Sequence, residues 1–323
     1  MGTRPYISAR RNTQCIINSV YLFDGRCAST QDFYIHMTVP IQNIIFQVLP
    51  TAAKSLLYPR VVKLHFKNMA NNDSPPMYTD TPLAVIPTPK FETGNEDPFT
   101  IEASHMALSH NAFIRGFNSI YQQASRLQEP TDKSDFVGYC QAWIECVKTH
   151  HHYEETDLFP NINKAAGTTG LMADAVQEHE LFYGGMDRMK AYLDETGAEF
   201  SAAELISIMD SFKKPLHSHL KAEPPAIVDL ARYNTEQNPI DIMAIAAAAG
   251  RKQVGFSFFL NTVPVFFLNM ETATFEGGMW HGVFPPLKGF ARTLVNNVVP
   301  MWHSGRWRFA SCTPDGEYKQ LAV

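Results

Sequence analysis

The chain has 323 residues, 45% of them hydrophobic, 12% aromatic and 18% charged, with a formal net charge of −5. That length suits two domains, or one domain with extensions, around a sizeable core. The acidic balance gives no electrostatic reason to expect nucleic acid or an anionic membrane as a partner. Five cysteines at wide spacing (Cys15, Cys27, Cys140, Cys146, Cys312), with no CxxC, argue against a disulfide framework and for a reducing compartment, hence a cytoplasmic location. The most apolar run, Val254 to Met270, is interrupted by Asn261 and Pro264 and is too short to span a bilayer. Eight of the twelve histidines fall between His105 and His219, about a third of the chain, and this concentration is the informative part of the composition.

Residues 1–68 are basic, with only Asp24 and Asp32 against eight lysines and arginines, and no acid in the first 23 positions. An Arg-rich, acid-poor start fits a mitochondrial transit segment, an alternative to the cytoplasm. Met69 would serve equally well as a chain start, which would put this extension outside the functional protein. Residues 69–97 form a Pro-rich linker: Pro75, Pro76, Pro82, Pro87 and Pro89 forbid a regular helix and favour extended backbone over the following domain's surface.

Four helical periods follow within 98–232. Asp97-Pro98 is a helix start, and Ala103, Met106, His110, Phe113, Phe117 and Ile120 recur at three- and four-residue spacing as a core stripe. Phe136, Cys140, Trp143, Val147, His150 and Glu154 make the second stripe. This register favours His150 and Glu154 as the inward pair of the run His150-His151-His152-Tyr153-Glu154-Glu155. A register one residue on (Val137, Ile144, His151, Leu158) is poorer, so His151, His152 and Glu155 are assigned flanking positions. Pro160 is expected to end or turn this helix. The third stripe is Met172, Ala175, His179, Phe182, Met186, Met189 and Leu193, ending at Gly197. The fourth opens with a capping box, Ser201 and Glu204, and runs Leu205, Met209, Phe212, Leu216, His219, Glu223. Pro215 should bend it, and Pro224-Pro225 should bend or end it. Residues 233–323 are an extension expected to pack on the bundle, since three of the four tryptophans lie there. The basic aromatic run Trp302–Arg308 fits aromatic packing better than a nucleic-acid patch in an acidic chain.

Each of the four helices thus places one histidine on its own apolar stripe: His110, His150, His179 and His219. Taken singly, each is accounted for as a satisfied core residue. Two of them add a glutamate one turn later, Glu154 and Glu223, and no lysine or arginine lies on the stripes to pair with these acids. A buried carboxylate costs several kcal/mol unless paired, protonated or bound to a metal, so a cation at the bundle centre solves both burial and charge. Imidazole and carboxylate donors without thiolate suit Fe or Mn, with Zn possible, and two carboxylates that can bridge favour a dinuclear site.

His110-Asn111, the His-His-His-Tyr-Glu-Glu block running to Leu158-Phe159-Pro160, Gln177-Glu178-His179, and His219 with Glu223 together resemble the hemerythrin-like (HHE cation-binding) family over roughly residues 98–232. The resemblance implies an all-α, up-down-up-down four-helix bundle holding a non-haem centre of two Fe ions, with O2 or NO as the small ligand. It also implies His150, the first imidazole of the HxxxEExxLFP block, as the ligand of the second helix. Two departures stand out. Oxygen-carrying members have HxxxH on the third helix, where this chain has Tyr183, and they end on a His–Asp pair where this chain has His219 and Glu223. Losing one histidine leaves an open position on one iron or brings Tyr183 close to it as a cofactor-contacting residue.

Four functions compete at this point: an O2/NO or iron binder or sensor, a di-iron enzyme activating oxygen on a small organic substrate, an iron-responsive interaction module, and a metal-free bundle. A charge-transfer band with O2, substrate turnover coupled to O2 loss, or apo/holo stability differences without O2 chemistry would separate the first three. No nucleophile–base pair, phosphate loop or dinucleotide fingerprint is present to suggest other catalysis.

Overall fold

A computed structural model describes residues 74–252, 255–287 and 289–323; the expectations for residues 1–68 lie outside the described residues. Among those described, the chain is all-α, its extended pairings limited to two isolated bridges, Met77 with Gln320 and Cys312 with Tyr318. No helix among them is long and apolar enough to cross a membrane.

The extended start leads through a short helix α1 (Pro89–Thr93) into α2 (Pro98–Gln123). The carboxylate of Asp97 accepts from the backbone N–H groups of Phe99 and Thr100 at 3.0 Å each, and Pro98 occupies the first turn, where its missing N–H costs nothing. Then come α3 (Pro130–Tyr153), α4 (Phe159–Ala166), α5 (Ala173–Thr196) and α6 (Ala202–Asp229). Every member of the four stripes on and beside the long helices α2, α3, α5 and α6 is buried, including all six histidines and glutamates. Ser201 caps α6 by accepting from Glu204 N–H at 3.4 Å. α5 ends at Gly197, whose φ of 52° suits glycine.

Two outcomes are open in the sequence at Pro160 and at Pro224-Pro225, and at neither place does the helix stop at the proline. Pro160 does not end the second helix: one wide turn, Glu154–Leu158, separates α3 from α4, in which the N–H of Phe159 bonds to the carbonyl of Glu154. The extra residue accommodates a ring that would otherwise collide with the carbonyl four residues back. Pro224-Pro225 do not end α6 either, which continues to Asp229.

Two asparagines on α2, seven residues apart and so on one face, hold the extended segment. Asn118 accepts from Leu83 N–H at 2.9 Å and donates to Leu83 carbonyl at 2.7 Å. Asn111 does the same for Ile86, at 2.7 and 2.8 Å. Each amide therefore satisfies both backbone groups of a buried strap residue.

Beyond α6 come α7 (Ile242–Lys252), α8 (Phe256–Asn261) and α9 (Val263–Phe267). Val265, Leu268, Trp307, Phe309 and Ala310 share one core with Phe113, Phe136 and Trp143 of the bundle. Asn269 ties this region together, accepting from Ser311 N–H at 2.9 Å and donating to Val265 carbonyl at 2.7 Å. Of the tryptophans, Trp280 and Trp307 are buried, whereas Trp302 is exposed.

Candidate metal centre

The four stripe histidines meet at mid-bundle in two pairs. His110 Nε2 stands 3.2 Å from His150 Nε2, and His179 Nε2 stands 3.2 Å from His219 Nε2. Two carboxylates connect the pairs. Glu154 places Oε1 2.8 Å from His150 Nε2 and Oε2 3.7 Å from His179 Nε2. Glu223 Oε2 lies 3.3 Å from His110 Nε2 and 3.6 Å from His219 Nε2. Despite these short distances, none of the four carboxylate oxygens has a partner in hydrogen-bond geometry. The groups converge on common points rather than on each other.

The other ring nitrogens explain why. His110 Nδ1 donates to the carbonyl of Leu220 at 2.7 Å, which leaves Nε2 without a proton in the neutral ring. His179 Nδ1 meets Glu155 Oε1 at 2.6 Å and His219 Nδ1 meets Glu178 Oε2 at 3.0 Å. A backbone carbonyl or carboxylate on the far nitrogen is how a metal-binding imidazole is oriented. The Leu220 carbonyl is free for this task because its helical donor four residues on would be Pro224, which has no N–H.

The charge balance points the same way. Burial, with help from neighbouring imidazoles, pushes His150 and His151 well below the usual histidine range, and burial pushes His219 down to about 3. These three rings are therefore neutral and cannot balance the acids as imidazolium. Burial, reinforced by the charge of Glu223, pushes Glu154 well above the usual carboxylate range. Two nitrogens bound to one ion at about 2.1 Å and near 100° stand about 3.2 Å apart, the spacing of each histidine pair. The donor set thus fits a cation at each pair, with Glu154 and Glu223 between them.

His151 corrects the sequence reading. It is fully buried, with its ring centroid 4.4 Å from that of His179 and 5.0 Å from that of His219. Its donor atom lies with those of Glu154, His179 and His219 in a group spanning no more than 4.8 Å; His110, His150 and Glu154 form a second such group. Glu223 belongs to neither tight group and joins the pairs from α6. Both registers of α3 face inward because this helix is enclosed on both sides, so Val137, Ile144 and Leu158 are buried beside Phe136, Cys140 and Trp143. His152 is exposed, as a flanking residue should be, and Glu155 flanks the centre by holding His179.

Tyr183 does not point its hydroxyl into the cluster. The hydroxyl donates to Glu155 Oε1 at 3.4 Å, and the ring packs 5.8 Å from that of His179. Burial, and then the charge of Glu155, push the phenol up, so it serves as a donor. Glu178, which reaches across from α5 to His219, has no role in the sequence reading; its place next to His179 is the available signal. On the outer side of Glu155 a surface groove of about 360 Å³ is lined by Phe159, Pro160, Met172, Val176 and Gln177.

Comparison with known proteins gives two findings. Residues 103–224 match the profile described as the hemerythrin HHE cation-binding domain, a span that contains every residue of the cluster. The chain is also 29% identical over 241 residues to the "Dimeric xanthone biosynthesis cluster protein R11" of Cryptosporiopsis sp. (strain 8999), covering 74% of this chain and 89% of that protein. No solved structure matches.

Proposed function

We propose that the chain, whose residues 103–224 match the hemerythrin HHE cation-binding domain, is a non-haem di-iron protein whose centre binds O2 or NO. The observation that carries this reading is the pairing of four buried imidazole nitrogens at 3.2 Å around two buried carboxylates that lack hydrogen-bond partners. His110 and His150 would hold one ion and His179 and His219 the other, with Glu154 and Glu223 supplying the carboxylates. Iron held there would supply the electrons and the open coordination for binding a diatomic ligand. The chain's own residues fix the imidazoles through Leu220, Glu155 and Glu178, and exclude bulk water with Phe113 and Phe182 beside the rings. Tyr183 acts on the centre through Glu155 and His179.

His150→Ala and Glu154→Ala are expected to lose most bound iron, whereas His152→Ala keeps it. Elemental analysis showing wild-type iron in both of the first two variants would contradict the assignment. A ferrous protein that develops a visible charge-transfer band on adding O2 or NO supports the ligand.

A second reading, oxygen activation on a small organic substrate, is favoured by the relative's name, which ties it to xanthone biosynthesis, and by the apolar groove beside Glu155. O2 consumption that accelerates only when a xanthone-type phenol is added would select it. O2 binding with no such acceleration would leave the first.

A further inference from the structure

We infer that His151 is a metal ligand of the His179/His219 position, supplying from α3 the imidazole that the third helix lacks at Tyr183. The inference rests on the di-iron reading and deepens it. His151 is fully buried, and neither of its ring nitrogens has a hydrogen-bond partner. A buried imidazole with both nitrogens idle is costly, and an apolar side chain would fill the same space without that cost. None of its neighbours meets either nitrogen in hydrogen-bond geometry. The ring sits against those of His150, His179, Phe182 and His219. The nearby Tyr183 hydroxyl is committed to Glu155. What the ring does face is the group formed with Glu154, His179 and His219, whose donor atoms all lie within 4.8 Å of one another. A cation there gives the idle nitrogen its partner.

The geometry also explains how the sequence can dispense with a second histidine on α5. His150 and His151 are adjacent, so they project about 100° apart around the helix axis. One ring turns toward His110 on α2, and its neighbour turns toward His179 on α5. A single helix thus serves both metal positions, and Tyr183 becomes available to hold Glu155.

The test is anaerobic titration of the full chain with ferrous iron, with metal per chain read by elemental analysis and affinity by chelator competition. His151→Leu preserves apolar packing, and His152→Leu is the control on the same helix. The expectation is two ions for wild type and His152→Leu, with the second ion lost or held at least ~10-fold more weakly in His151→Leu. Two ions at wild-type affinity in His151→Leu would overturn the inference and leave the di-iron reading standing. Fewer than about one and a half ions in wild type would overturn the di-iron reading itself. Should His151→Leu fail to fold, the Co(II)-loaded wild type decides. Five sets of strongly shifted imidazole proton signals support His151 as a ligand, and four overturn it.

Discussion

Pro224 removes an N–H from α6 and so leaves the Leu220 carbonyl to His110. Pro224→Ala returns a competing helical donor. The expected result is a metal affinity lower by ~10- to 100-fold, the range for losing a group that orients a ligand, with no loss of thermal stability in the metal-free protein. Chelator competition and thermal melts check the two halves. Glu155→Gln tests the opposite side: it keeps a hydrogen-bonding group on His179 but removes the charge. Affinity is expected to fall within the same ~10- to 100-fold range, and an unchanged value would reduce Glu155 to packing. These partners were poorly legible in the sequence. A cross-helix contact such as Glu178 with His219 depends on rotations that no single period reveals. His151 is hidden for a related reason: one apolar stripe marks one inward face of a helix, and α3 has two.

At the scale of elements, the strap over α2 stands on two asparagines. Asn118→Ala leaves the buried N–H and carbonyl of Leu83 without partners. Each orphaned group costs about 1–3 kcal/mol, so urea unfolding is expected to show a loss of about 2–6 kcal/mol; a loss under about 0.5 kcal/mol would mean water replaces the amide. The proline count identified the strap as extended but could not show what it pairs with. The C-terminal region offers a pH test. Lys319 is half-buried with its amine 3.4 Å from the Trp307 carbonyl, and burial pushes that amine down to about 8. The folded state therefore binds fewer protons than the unfolded state between about pH 8 and the free-lysine value of about 10.4, and stability rises with pH across that window. Lys319→Met is expected to raise Tm most below pH 8, with the gain shrinking toward pH 10. A gain that does not vary with pH would contradict the burial account.

For the whole molecule, the bundle was the legible part because its four stripes are long and strictly periodic, and every stripe residue proved buried. The short helices after α6 were not legible, since five- and six-residue elements such as α8 and α9 carry no period. Their attachment depends instead on single residues such as Asn269, which joins Ser311 and Val265, and Glu276, which accepts from Thr88 and Trp280. Similarity to the xanthone-cluster protein runs over 241 residues, well beyond the 103–224 domain. The strap and the C-terminal region are accordingly proposed to belong with the bundle as one folding unit. The proposed function depends on two cations at mid-bundle. The most direct measurement is the iron content of the full chain after anaerobic reconstitution and removal of loose metal. Two ions per chain are predicted, and a stoichiometry below about one and a half would contradict the dinuclear centre.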